Sequence, residues 1–119
     1  MHSVKHRGGS VVIGFHFVCG NEKGVTRNSD GTAWMGTWAV AERHAEWALK
    51  ISSYVALHSS RSQLSYLQGV ITGFRLAKRV GAKTENGIDF LVKLTDERLT
   101  WVGDGSGEKG YAWGRAPSD

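Results

Sequence analysis

Proline and cysteine are nearly missing from this chain of 119 residues, which has one of each, Pro117 and Cys19. One proline excludes a proline-rich linker or a collagen-like repeat. One cysteine excludes an intrachain disulfide and any zinc site built on paired cysteines, so a reducing compartment is expected. Long apolar runs are absent as well, and nothing approaches the ~20 residues of a membrane-crossing helix. Residues 11–19 are broken by Gly14 and His16, which argues against the core of a signal peptide. The expectation is a soluble, cytoplasmic protein with no membrane partner. Acidic residues are scarcer than basic ones, 11 Asp and Glu against 15 Lys and Arg, for a formal charge of +4. That balance favours polyanions such as nucleic acid as partners. What is present is an ordinary globular composition, 40% hydrophobic and 22% charged, which a disordered tail would not have.

The pattern along the chain reads as a flexible basic arm over residues 1–10 followed by one domain over 11–119. Residues 11–18, VVIGFHFV, are β-branched and aromatic and predict a strand. Residues 20–32 carry Gly, Asn and Asp in a density that predicts a long loop, a kind of segment that is disproportionately functional. Residues 40–50 predict the main helix. Val40, His44, Trp47 and Ile51 recur on one stripe, Ala41, Ala45 and Ala48 widen it, and Thr37 is a possible N-cap. Residues 54–58, YVALH, predict a strand with Tyr54, Ala56 and His58 on one face and Val55 and Leu57 on the other. Further strands are expected over 67–76 and 88–94, with Gly69 and Gly73 marking bulges or a bend. Residues 75–83 hold the densest basic run, Arg75, Lys78, Arg79 and Lys83. Two short aromatic segments close the chain around a glycine-rich loop, residues 103–110. It lacks the phosphate-loop spacing and a following helix, so a hairpin loop is expected there. Strands that follow one another without intervening helices argue against a parallel βαβ sheet. They favour an α+β fold, a small mixed β-barrel of about five to six strands with one main helix.

Five tryptophans stand out. Trp47 lies on the helix stripe and reads as core. Trp34 and Trp38 sit where a loop meets the helix start, where two indoles either wall a slot for a flat ligand or plug the end of the barrel. Residues 34–73 resemble the EVE domain of the PUA-like superfamily, which also includes ASCH and YTH domains. Trp34, Gly36 and Arg43 match its Trp-x-Gly-x-x-x-x-x-x-Arg pattern, YVALHS at 54–59 matches its strand ending in His-Ser, and the glycines of QGVITG at 68–73 match its next strand. Ala39-Val40, His44 and Ser60 depart from the family, which carries Asn-Tyr, Asn and Asn at those places.

The resemblance implies a PUA-like barrel and a pocket for a modified or flipped base of DNA or RNA. A flipped base needs stacking faces and a few polar groups for its edge. Trp34 and Trp38 are the expected faces, His58, Ser59 and Ser60 the edge-binding groups, and Arg43, Arg61, Arg75, Lys78 and Arg79 the contacts to the nucleic-acid backbone. Two other readings stay open. One is a small ASCH-like hydrolase of a modified nucleoside, for which Lys50, Thr72, Glu42 and Glu46 offer residue types but no telling spacing. The other is a protein-interaction or homo-oligomer module with aromatic anchors. No residue pattern specifies a catalytic group or a cofactor, and the five histidines lack metal-ligand spacing.

Overall fold

The computed structural model describes residues 9–79, 86–103 and 107–117. The proposed arm therefore lies almost wholly outside the described residues, as do Lys83 and the middle of the glycine-rich loop. The rest folds as an α+β domain. One α-helix, α1 (Glu42–Ile51), packs on a mixed sheet of seven strands: β1 (Ser10–Val18), β2 (Val25–Arg27), β3 (Thr32–Trp38), β4 (Tyr54–His58), β5 (Leu67–Lys78), β6 (Asn86–Thr95) and β7 (Lys109–Arg115). Their order across the sheet is β2-β3-β6-β5-β4-β1-β7. Only β1 and β4 pair in parallel, which requires a long crossover, and β2, β3 and α1 supply it.

The core lies between the inner face of the sheet and the helix. Phe15 and Phe17 of β1, Val55 and Leu57 of β4, Ile71 of β5, Phe90 and Val92 of β6 and Met35 of β3 point into it. Ala45 and Ala48 have no exposed surface and let α1 lie close against the sheet. The helix begins later than its stripe suggested. Val40 lies before it, Ala41 occupies the N-cap position without a side-chain bond, and Thr37 belongs to β3. Residues 20–32 are not one loop, because they hold a 3-10 turn (Gly20–Glu22) and all of β2, which pairs with β3.

The sheet does not close into a barrel, and it has more strands than expected. β2 and β7 are its edges, each with one neighbour among the described residues. It curls strongly all the same. Phe17 of β1 stacks on Trp38 of β3 at 4.0 Å between ring centroids, and Lys109 Nζ of β7 donates to Ala39 O at 2.7 Å. The margins thus approach through side chains without sharing a strand ladder.

Candidate functional site

The end of β3 is irregular, and two clefts with indole walls lie beside the irregularity. Across β6, Met35 pairs with Phe90 and Trp38 with Ile88, so β3 carries one residue more than its partner over this stretch. Such a bulge reverses which face later residues occupy. Trp34, before it, stands on the outer face of the sheet opposite Leu91. Trp38, after it, turns to the inner side opposite Ile88. The two indoles therefore do not wall a single slot, and they lie on strand β3 instead of at a loop that meets the helix start. Each lines its own cleft instead, and the clefts share Gly24, Gly36 and Thr37.

The outer cleft measures about 340 Å³ and is lined by Val25, Thr26, Trp34, Arg75 and Asp89 beside the shared residues. The Arg75 guanidinium lies 4.0 Å from the Trp34 ring centroid, and its Nε donates to Asp89 Oδ2 at 3.0 Å. Thr37 Oγ1 donates to Asp89 Oδ1 at 2.7 Å. Gly36 makes room for this carboxylate, since a Cβ there would run into Asp89 Oδ1. The inner cleft measures about 420 Å³ and is lined by Val18, Cys19, Gly20, Lys23 and Trp38 beside the shared residues. Both volumes are of the size that holds a small planar ligand. The Trp38 Nε1–H is buried and has no hydrogen-bond partner among the described residues. Cys19 is not a reactive thiolate: burial pushes its pKa up, and its Sγ donates to Lys23 O at 2.9 Å.

His58 must be reassigned. It has no exposed surface, and both its ring nitrogens are engaged, so it offers no edge to a ligand. It belongs to a buried chain on the outer face of β1 and β4 that the sequence reading did not assemble. His58 Nδ1 donates to Gln63 O at 2.8 Å, which leaves Nε2 to accept from His16 Nδ1, also at 2.8 Å. His16 Nε2 then accepts the Tyr54 hydroxyl at 2.8 Å. Both imidazoles are neutral in this arrangement. Burial, and secondarily the neighbouring His58, hold the His16 pKa down at about 4, and burial lowers that of His58. Trp101 covers both rings edge-on, at 5.7 and 5.1 Å. The parallel register places Gly14 opposite Tyr54 and Val18 opposite His58, with His16 between them. Gly14 is bare because a Cβ would strike the Tyr54 ring.

The remaining predicted site residues are scattered. Ser59 lines a shallow cleft with Asn21, Glu22 and Tyr66, and the hydroxyls of Ser60 and Ser62 lie 3.0 Å apart. Arg43 is exposed on α1, Arg61 lies in the loop after β4, and Lys78 and Arg79 lie at the far end of β5. Only Arg75 reaches a cleft with an indole. The four residues weighed for hydrolysis are not brought together. Glu42, Glu46 and Lys50 ride on α1, with Lys50 Nζ 4.8 Å from the Trp47 ring centroid, whereas Thr72 of β5 reaches toward Leu91 O. No cluster of three or more His, Cys, Asp or Glu side chains suited to a metal occurs among the described residues. No described helix is long and apolar enough to cross a membrane. Comparison with known protein families, with curated proteins and with solved structures finds no match to this chain.

Proposed function

We propose that this protein is a nucleic-acid-binding module that accepts an unstacked base, modified or not, at the bulge in β3, and that its curled sheet is a relative of the PUA-like and EVE folds. One observation carries the reading. The bulge opens two adjoining clefts, and each contains one indole and one cation, Trp34 with Arg75 and Trp38 with Lys23. Aromatic rings beside hydrogen-bond donors and cationic side chains are what an unstacked base requires. The net charge of +4 brings polyanions to the surface.

The test is fluorescence anisotropy with labelled single-stranded DNA and RNA oligonucleotides, plain and base-modified, at several salt concentrations. Binding should weaken as salt rises. Trp34→Ala or Trp38→Ala should weaken it about tenfold or more, the usual worth of one stacked base. Absence of binding across the panel, or equal binding by both variants and the parent, would refute the reading. A second reading, a protein interface along edge strand β7, is favoured by Trp113, which is 54% exposed there. Gel filtration showing a dimer that Trp113→Ser disperses would favour it.

A further inference from the structure

The outer cleft holds an arginine fixed at two points, one of them a carboxylate that is itself braced, and what it leaves free is specific. Arg75 and Asp89 face each other across β5 and β6, so their contact is set by the strand ladder. Asp89 holds Nε, Trp34 holds the face of the guanidinium, and Thr37 holds the other oxygen of Asp89. The Asp89 side chain is 13% exposed, which keeps this anchor stiff, while the Arg75 side chain is 55% exposed. The two terminal amino groups make no hydrogen bond among the described residues. They form a planar, pre-oriented pair of donors at the cleft.

Such a fork suits either an oxyanion or two adjacent neutral acceptors. Charge decides between them. Asp89 already neutralises Arg75, and a phosphate drawn to the fork would also meet the carboxylate. A neutral acceptor pair meets no such repulsion. Among the bases, guanine presents N7 and O6 side by side, whereas adenine places a donor beside N7 and would leave two donors facing each other. Cytosine also has an acceptor pair, N3 and O2. That pair lies between the exocyclic amino group and the sugar, which leaves it less open to a planar fork than the N7/O6 edge of guanine.

We infer that Arg75, braced by Asp89 and Trp34, reads the N7/O6 edge of a guanine in a single-stranded segment, so that this protein prefers guanine next to the base it binds. The inference rests on the nucleic-acid reading proposed above and replaces the phosphate role expected of Arg75 from its charge. The experiment is competition anisotropy with single-stranded eight-nucleotide probes that differ at one position: guanine, 7-deazaguanine, adenine or cytosine. Guanine should bind about 10- to 100-fold more tightly than adenine, the range of one good bidentate pair, with 7-deazaguanine, which keeps only O6, and cytosine in between. Arg75→Lys should level the four probes while thermal unfolding stays within a few degrees. Asp89→Asn, which frees the cation, should raise affinity for all four and reduce the guanine preference. Equal binding of the four probes by the parent protein would overturn the inference while leaving the nucleic-acid reading intact. So would an Arg75→Lys or Arg75→Ala variant that weakens all probes alike and flattens the salt dependence, because that is the signature of a phosphate contact. Failure of every probe to bind would overturn both.

Discussion

Two polar and aromatic clusters sit on one sheet, and they differ in what remains unpaired. On β4 and β1, next to edge strand β7, Tyr54, His16, His58 and the Gln63 carbonyl form a chain in which each ring nitrogen has one partner, sealed beneath Trp101. At the β3 bulge, Asp89 and Trp34 hold Arg75 in place, yet the arginine fork keeps donors to spare. The residue types are similar, but a closed network specifies packing and an open one specifies a ligand. Exposure follows the same division, from no exposed surface at either histidine to half-exposed at Arg75.

The sharpest way to break the comparison is to open the closed cluster. His58→Ala leaves the His16 N–H and the Gln63 carbonyl unpaired around a cavity, and it should lower unfolding free energy by about 3 kcal/mol in urea titrations. Acid attacks the same cluster. The folded His16 pKa of about 4 lies below its ordinary value of 6.5, so between those pH values the unfolded chain binds a proton that the folded chain refuses. Stability from this group is complete above pH 6.5 and declines as pH falls toward about 4, by on the order of 3 kcal/mol. His16→Gln should show a shallower decline in thermal melts taken across that range. Gly14→Ala, which drives a methyl into the Tyr54 ring, should cost about 2 kcal/mol by the same urea titration. The smallest effect belongs to the open site. Trp38→Phe keeps an aromatic ring against Phe17 and removes a buried donor that has no partner, so stability should stay within about 1 kcal/mol of the parent. A large loss there would show that the indole N–H is satisfied in the folded protein after all.

What could be read from the sequence was what local pattern controls. The alternation in YVALH correctly puts Tyr54 and His58 on one face, because strand periodicity needs no knowledge of a partner. The stripe over 40–50 finds α1 with its start two residues early, since Val40 is buried as a helix residue would be without being one. β2 was invisible because its three residues sit among Gly, Asn and Asp, and only pairing with β3 makes them a strand. The histidine pair spans 42 positions and exists only through the parallel β1–β4 register. Trp34 and Trp38 misled for a related reason. The sequence around them reads as a loop that meets the helix start, and both the strand that holds them, β3, and its extra residue show only in the ladder with β6. Asp89 carried no local signal at all, being an ordinary acid in a strand until Arg75 pairs opposite it.

The bulge in β3 is the proposed ligand site, and the indole N–H resonances in a ¹⁵N–¹H correlation spectrum report on it directly. Titration with a guanine-containing single-stranded oligonucleotide should shift the Trp34 and Trp38 signals, assigned by substitution, and leave those of Trp47, Trp101 and Trp113 in place. Shifts confined to Trp101 or Trp113, or no shifts at saturating oligonucleotide, would contradict it.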